Sequence, residues 1–193
     1  MTQAMTQAMT QEMTQEMTQE TSRWVIQNER MTPTATFTLR PAELRDLAAI
    51  VELIRELAEF EQLLHMVQAT PEKLLPHLFG DKPVAEAWVA EVDSEVVAFA
   101  LFFTNFSTFL SQPGLYLEDL YVQPSHRSLG LGRALLTRLA QLAVERGCGR
   151  FEWSVLDWNE SAIRFYQKMG ASVMPDWRIC RVSGDALAAL GSG

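Results

Sequence analysis

A strand pattern, a glycine-containing loop and a leucine-rich helix pattern follow one another without interruption between residues 115 and 146. The strand reads LYLEDLYV and is ended by Pro124, and the helix pattern stops before Gly147. Gly130 and Gly132 stand where the loop passes into the helix. A strand followed within a few residues by a helix is the basic unit of a layered α/β fold, so this segment predicts that fold class.

The rest of the chain continues this alternation between the period of a strand and the period of a helix. Residues 34–42 and 150–156 read as strands. Residues 86–103 read as two antiparallel strands joined by a turn at Asp93 and Ser94. These segments would supply most of a sheet.

Three further segments have the spacing of amphipathic helices, namely residues 43–64, 70–80 and 159–170. Pro76 is expected to bend or shorten the second of them. Residues 171–174 and 177–183 read as two last short strands. Together with the helix after residue 130, the pattern predicts an α/β layer structure with a mixed sheet.

The N-terminal segment differs from the rest in composition. Its first twenty residues repeat a four-residue unit five times, and they offer little besides isolated methionines to bury. We expect residues 1–33 to be a disordered extension, with a partner-binding arm as the alternative. At 193 residues and 48% hydrophobic, the chain can bury one substantial core, which we assign to a single domain over residues 34–193.

Charge and composition limit the partners of the chain. With 16 basic and 24 acidic residues the net charge is −8, which disfavours nucleic acid and anionic membranes and mildly favours a cationic small molecule. No apolar run reaches the roughly 18 residues of a membrane span. Two cysteines, Cys148 and Cys180, and no signal-peptide pattern indicate the cytoplasm. His65, His77 and His126 lack the spacing of metal ligands, so no metal is predicted.

The loop before the helix has the chemistry of an anion-binding site. Gly130 and Gly132 let the main chain approach a ligand closely, and the first amides of a helix have no intrahelical partner. Arg127 adds a cation whose planar guanidinium matches phosphate oxygens. A diphosphate site and a simple turn both explain the glycines at this point, and the third glycine of a dinucleotide fingerprint is replaced by Leu135.

Two adjacent carboxylates lie in the apolar strand before this loop. Because side chains alternate faces along a strand, Glu118 and Asp119 cannot both reach solvent on the same side. Burial raises the pKa of a carboxyl toward the range that a general base needs near neutral pH. A proton acceptor, an anionic contact for an amine and a solvated edge strand are the three interpretations.

In combination, these segments resemble the GNAT superfamily of acetyl-coenzyme A dependent N-acetyltransferases. Arg127, Gly130 and Gly132 match its phosphate motif Q/R-x-x-G-x-G/A position by position. Within the superfamily, the segments LRPA, LIRELAEFE, LYLEDLYV and WNESAIRFYQKMGA are similar to the spermidine/spermine (diamine) acetyltransferase group. The similarity spans nearly all of residues 36–182.

The resemblance implies a GNAT-type sheet, mixed and largely antiparallel, and acetyl-coenzyme A as cosubstrate. The diphosphate would lie on main-chain amides of residues 127–133, and the pantetheine arm would pair with β-strand main chain as an added strand. Asn159 would contact the pantetheine or a phosphate, and it is also placed to cap a helix. The implied cofactor-binding residues are Leu120, Tyr121, Val122, Arg127, Ser128, Leu129, Gly130, Leu131, Gly132, Arg133, Asn159 and Tyr166.

The resemblance also implies catalytic roles for Glu118 and Tyr166. An amine with a pKa near ~10 must lose a proton before it attacks a thioester, and Glu118 is the implied acceptor, directly or through a water. Tyr166 would protonate the departing thiolate, and packing in the core is its alternative role. Direct attack by the amine requires no covalent acyl-enzyme, and neither cysteine falls in a nucleophile pattern.

For the acceptor amine, the resemblance points to the end of the first helix and to the acidic strand. Phe60 stands where close relatives carry tyrosine, and Ser128 stands where glycine is usual in this group. The implied substrate-binding residues are Phe60, Glu61, Glu118, Asp119 and Glu152.

The predicted function is transfer of an acetyl group from acetyl-coenzyme A to a primary amine of a small cationic molecule, by direct attack in a ternary complex. A protein lysine or N-terminal acetyltransferase and a catalytically silent acyl-coenzyme A binding module are the alternatives. The resemblance implies a homodimer. Trp153, Trp158 and Trp177 are interpreted as core or interface aromatics.

Overall fold

The computed structural model describes residues 36–193, and the extension predicted over residues 1–33 lies outside the described residues. Three single-turn 3₁₀ segments accompany the longer elements, at Leu44–Asp46, Leu64–Met66 and Pro124–His126. In chain order, the longer elements are β1 (Phe37–Pro41), α1 (Leu47–Phe60), α2 (Pro71–Phe79), β2 (Glu86–Val92), β3 (Glu95–Ser107), β4 (Gln112–Val122), α3 (Leu131–Glu145), β5 (Arg150–Trp153), α4 (Glu160–Lys168) and α5 (Gly184–Gly191).

The five strands form one sheet in the order in which they occur along the chain. Strands β1 to β4 pair antiparallel, whereas β4 and β5 pair parallel, so the predicted mixed and largely antiparallel sheet is confirmed. The hairpin between β2 and β3 turns at Asp93 and Ser94, whose φ angles are 50° and 68°. Positive φ at both central residues is what a type I′ two-residue hairpin loop requires, and the twist of this loop matches that of the strands.

Helices cover both faces of the sheet. On one face, α3 packs its buried leucines against Phe102 of β3 and Leu115 and Leu117 of β4. On the other face, α1 and α2 cover a second apolar cluster that includes Phe99 and Tyr121. Each helix buries one stripe of apolar side chains at the three-four spacing read from the sequence, so both faces of the sheet are shielded from water.

The parallel pair at the end of the sheet is short. Only Gly114 to Leu117 of β4 pair with β5, although β4 continues to Val122. The chain leaves the sheet after Trp153, three residues before the end of the predicted strand. The second half of β4 therefore has a main-chain edge that no strand of the described chain covers, and the two strands are no longer paired beyond Leu117 and Trp153.

The C-terminal segment corrects the prediction of two last strands. Residues 171–174 and 177–183 form no strand in the described chain, and all of them except the half-buried Ala171 are exposed. A short apolar pattern becomes a strand only when a neighbouring strand takes up its hydrogen bonds, and Pro175 and Asp176 interrupt the pattern. The alanine- and leucine-rich residues that follow form α5 instead, in line with their helix propensity.

Candidate active site

A pocket of about 630 Å³ lies at the opening between β4 and β5. Its walls come from the C-terminal end of α1, the second half of β4, the loop and first turn of α3, the residues after β5, and α4. All of the predicted site residues line this pocket except Leu129 and Glu152. The fold thus brings residues that are far apart in the sequence to one place.

A β-bulge in β4 explains how two adjacent carboxylates reach the same pocket. Leu101 pairs with Asp119 and Phe102 pairs with Leu117, so Glu118 is an extra residue without a partner on β3. A bulge interrupts the strict alternation of side chains between the two faces. Glu118 is consequently exposed at the pocket, whereas Asp119 is largely withdrawn from solvent.

The environment of Asp119 changes its acidity. Burial raises the pKa of Asp119 to about 6, and the negative charges of Glu118 and Glu61 contribute less to the rise. Burial also raises the pKa of Glu61. Three carboxylates that repel one another are arranged to receive a cation, because a bound positive charge would relieve this repulsion.

Tyr166 of α4 stands at the same end of the pocket. Its ring contacts those of Trp153, at 5.0 Å between centroids, and Phe165, at 5.3 Å. Burial raises the pKa of Tyr166 to about 12, with a smaller contribution from the charge of Glu61. Asn159 accepts a hydrogen bond from the main-chain N–H of Ala162 at 3.2 Å, so the predicted helix cap is present. The cap fixes the start of the helix that carries Tyr166.

The loop before α3 leaves the helix N-terminus open. Gly130 is the N-cap, with φ 85°, and it provides no side chain to bond the first amides. The first turn carries no acidic residue that would compete with an anion. Ser128 also has a positive φ, 73°, which costs a residue with a side chain about 1 kcal/mol relative to glycine. Gly132 differs, since a Cβ there would make only ordinary contacts, the nearest at 3.7 Å from Val122.

Arg127 connects this loop to two other walls of the pocket. Its Nε donates a hydrogen bond to the main-chain oxygen of Val122 at 3.1 Å. Its guanidinium lies over the ring of Phe60, at 5.2 Å from the centroid, and over that of Tyr121, at 5.7 Å. These are cation–π distances, so one side chain holds β4, α1 and the loop together.

Two predicted site residues lie elsewhere. Glu152 stands outside the pocket, with its carboxylate 2.9 Å from Arg150 Nε and within 3.4 Å of the Asn105 side-chain amide, which donates to it. Leu129 packs against the core on the face covered by α3. The structure therefore does not bring these two side chains to the other residues.

Several pocket residues were missed by the sequence analysis. They include Leu57, Trp153, Ser154, Leu156 and Phe165. Leu57 lies one helical turn before Phe60 and Glu61, so the spacing of α1 contained a usable signal. The sequence gives no such signal for Ser154 and Leu156. These residues line the pocket only because the chain separates from β4 after Trp153.

Trp153, Trp158 and Trp177, which the sequence analysis interprets as core or interface aromatics, differ in their burial. Trp153 is half-buried and packs against the core, as expected. Trp158 and Trp177 are 51% and 73% exposed, so they are not core residues.

Both cysteines of the chain lie within residues 36–193. Cys148 is half-buried, Cys180 is exposed, and both are free thiols. Over this range, no three His, Cys, Asp or Glu side chains are grouped as metal ligands would be. None of the described helices combines the length and the apolar character needed to cross a membrane.

Comparison with known proteins shows consistent similarities. Residues 48–171 match the family described as the Acetyltransferase (GNAT) family. L-ornithine N5-acetyltransferase NATA1 of Arabidopsis thaliana is 34% identical over 197 residues, which cover 79% of this chain and 86% of that protein. Thialysine N-epsilon-acetyltransferase of Mus musculus is 35% identical over 167 residues, covering 81% of this chain and 98% of the relative.

Solved structures share the fold. An integron cassette protein from the mobile metagenome of V. cholerae superposes with a TM-score of 0.69 at 24% identity, covering 81% of this chain and 98% of that one. A ribosomal-protein-alanine N-acetyltransferase from Brucella melitensis superposes with a TM-score of 0.62 at 24% identity, covering 76% of this chain and all of the other.

Proposed function

Because the chain belongs to the GNAT acetyltransferase family and uses acetyl-coenzyme A as its cosubstrate, we propose that its pocket acetylates a primary amine of a small cationic molecule. The acceptor class is a diamine, a polyamine or the side-chain amine of an amino acid. The relatives named for acetylation of ornithine and thialysine support this class, since both of those names denote amine-bearing amino acids.

The observation that carries this proposal is the meeting of three carboxylates with an open strand edge in one pocket. The carboxylates of Glu61, Glu118 and Asp119 provide negative charge at one end. The second half of β4 provides main-chain hydrogen-bonding groups beside them. A cationic acceptor and an extended amide-containing arm are the two ligands that this combination fits.

The residues present fit acetyl-coenzyme A. The main chain of Leu120, Tyr121 and Val122 can pair with the pantetheine arm, and the open amides before and in the first turn of α3 can bind the diphosphate. Arg127 and Arg133 lie at this end of the pocket as additional cations. When bound, the cosubstrate supplies an acyl thioester, and the chain supplies its orientation toward the acceptor.

Proton removal from the amine is the first task of the pocket. An ammonium group with a pKa near ~10 must lose its proton to become a nucleophile. We assign this proton to Glu118, which is exposed at the pocket and can take it directly or through a water. Asp119 is the second candidate, because a carboxyl with a pKa of about 6 is ionised at neutral pH and is more basic than an ordinary aspartate.

Protonation of the leaving thiolate is the second task, and we assign it to Tyr166. A phenol whose pKa is about 12 gives up its proton reluctantly. Part of that rise comes from the negative charge of Glu61. A cationic acceptor beside Glu61 cancels this part, so binding of the substrate makes Tyr166 a better acid.

The test is thiol release from acetyl-coenzyme A with a panel of acceptors: linear diamines, polyamines, ornithine, lysine and a lysine-containing peptide. We expect turnover with one or more of the small amines. Tyr166→Phe should lower kcat by about 10²–10⁴, and Glu118→Gln should also lower it strongly. Tyr116→Phe is the matched control for loss of a tyrosine hydroxyl, because Tyr116 itself does not line the pocket and meets it only through a hydrogen bond to Ser154.

The outcomes of this panel separate the possible functions. Unchanged turnover in both pocket variants contradicts the assigned mechanism. Turnover with the peptide alone would make the chain a protein acetyltransferase. Binding of acetyl-coenzyme A without turnover of any acceptor would indicate that the chain is a catalytically silent binding module.

We further propose that the chain forms a homodimer. Large apolar side chains of the C-terminal segment, among them Trp177 and Ile179, are exposed in the single chain, and a second copy would cover them. Light scattering after size-exclusion chromatography tests this directly, and a monomeric mass at micromolar concentration would contradict it.

A further inference from the structure

An aromatic contact joins two walls of the pocket. Phe60 is the last residue of α1, and Trp158 lies in the loop between β5 and α4. Their ring centroids are 5.9 Å apart, and the ring planes are inclined by 51°. This tilted arrangement is within the range of favourable aromatic pairs. The two residues are remote in sequence, so the contact exists only because the fold brings the two walls together.

The ring of Phe60 is held from a second direction by Arg127, whose guanidinium lies 5.2 Å from the ring centroid. Phe60 therefore contacts a cation from the α3 loop and an indole from the loop before α4. A half-exposed side chain with one neighbour would sample several rotamers. Contacts on two sides favour the single ring position seen for Phe60.

This position is beside the reacting groups. Glu61 follows Phe60 directly, and its charge contributes to the raised pKa values of Asp119 and Tyr166, so both groups are within its electrostatic reach. Trp158 itself does not line the pocket, whereas Leu156 and Asn159 on either side of it do. The ring contact with Phe60 is therefore the route by which we expect Trp158 to affect the acceptor.

We propose that Trp158 is a positioning residue that fixes Phe60 as an aromatic wall of the acceptor site and thereby selects amines on slender aminoalkyl chains. The flat apolar ring packs against methylene groups while the carboxylates bind the ammonium group. A wall that cannot turn aside leaves less room for a branched or peptide-bound amine. This inference rests on the proposed function, since it concerns the acceptor of that reaction.

The experiment compares Trp158→Ala, Trp158→Phe, Phe60→Ala and the double variant Phe60→Ala/Trp158→Ala, with acceptors from linear diamines to a lysine-containing peptide. Phe109→Ala is the matched control, because Phe109 is 96% exposed on the turn between β3 and β4 and is remote from the pocket lining. Steady-state kinetics at saturating acetyl-coenzyme A give KM and kcat for each acceptor. Urea unfolding shows whether each variant is folded.

We expect Trp158→Ala to raise KM for a linear diamine about five- to tenfold, with KM for acetyl-coenzyme A unchanged. The preference for the diamine over the peptide, as a ratio of kcat/KM, should fall by a similar factor. Trp158→Phe should restore KM to within about twofold of the parent, because a phenyl ring can still contact Phe60. The double variant should be no worse than Phe60→Ala alone, since Trp158 acts through that ring.

Three results would overturn the inference: an unchanged acceptor preference in Trp158→Ala, full additivity in the double variant, or a rise in KM for acetyl-coenzyme A instead of the amine. If Trp158→Ala does not fold, Trp158→Leu replaces it, because leucine keeps much of the apolar volume but removes the aromatic contact with Phe60, and the same fall of the ratio is expected. Failure of the proposed function has a different signature, because the unmodified chain would then acetylate none of the small amines.

Discussion

At the scale of a single residue, Asp119 has an acidity and a contribution to stability that both depend on the pocket around it. It is one of three neighbouring carboxylates, and burial raises its pKa to about 6 from an ordinary value of 3.8. A raised pKa means that folding favours the protonated form. The carboxyl therefore contributes its full share of stability below about pH 4, and this share is lost as the pH rises through 6. At neutral pH the protein keeps a destabilising charge in the pocket that we propose for the acceptor.

Replacing this residue should separate stability from activity. The difference between the two pKa values corresponds to about 3 kcal/mol of stability lost at pH 8. We expect Asp119→Asn to raise the free energy of unfolding at pH 8 by up to about that amount, while it lowers kcat/KM for amines. The gain should shrink toward zero at pH 4. Urea unfolding at pH 4, 6 and 8 measures it.

The control for this experiment is Asp157→Asn, because Asp157 is exposed. It should change stability little at any of the three pH values. A gain in Asp119→Asn that is equal at pH 4 and pH 8 would show that ionisation of Asp119 is not its cause.

At the scale of elements, a buried ion pair connects β1 to the start of α1. Arg40 of β1 donates to both carboxylate oxygens of Asp46, at 2.6 and 2.9 Å, and Asp46 also accepts from the main-chain N–H of Glu43 at 2.7 Å. The side chain of Asp46 is only 4% exposed. Hydrogen bonding from Arg40 holds the pKa of Asp46 below its usual value, so this pair stabilises the fold above about pH 4 and is lost in stronger acid.

Removing Asp46 leaves the largely buried guanidinium of Arg40 with only its second carboxylate partner, Glu91, at 2.8 Å. We expect Asp46→Ala to lower the free energy of unfolding by about 3 kcal/mol at pH 7, as measured by urea unfolding. Arg164→Ala is the comparison, since it breaks the exposed pair with Glu160 and should cost less than about 1 kcal/mol. Equal losses in the two variants would contradict the assignment of Asp46 to a buried pair.

The elements also show which parts of the structure the sequence could predict. The hairpin at Asp93 and Ser94 and the helix that starts at Leu131 depend on local patterns and turn residues, and both are confirmed. The bulge at Glu118 depends on register against β3, which a single strand pattern does not contain. The early end of β5 and the absence of strands after Gly170 likewise depend on whether another strand lies alongside to accept hydrogen bonds, which the local sequence does not show.

The same distinction holds for the candidate site. Arg127 and Gly130 belong to a short motif with a direct physical meaning, and they lie in the pocket. The prediction of Glu152 as a substrate-binding residue depended only on its charge and its place in a strand. In the structure, Glu152 contacts Arg150 and Asn105 instead. A charge alone does not specify a location, because its partner is set by the packing of three strands.

At the scale of the whole molecule, the described residues 36–193 supply two apolar clusters and a pocket lined by all but two of the predicted site residues. We expect deletion of residues 1–30 to leave kcat/KM for acetyl-coenzyme A and amine within about twofold of the full chain, because every predicted site residue is retained. The thiol-release assay on both chains measures this. A large loss would assign a catalytic or assembly role to the repeat.

The uncovered edge in the second half of β4 has one further consequence, which concerns handling of the protein. A strand with free main-chain groups pairs readily with any extended polypeptide, and such edges promote aggregation. The pantetheine arm of acetyl-coenzyme A, lying along this edge as proposed, would block aggregation through the edge. Binding of the cosubstrate would also favour the native state by mass action. The supply of the cosubstrate during expression, lysis and storage should therefore govern how much clear, concentrated sample can be obtained.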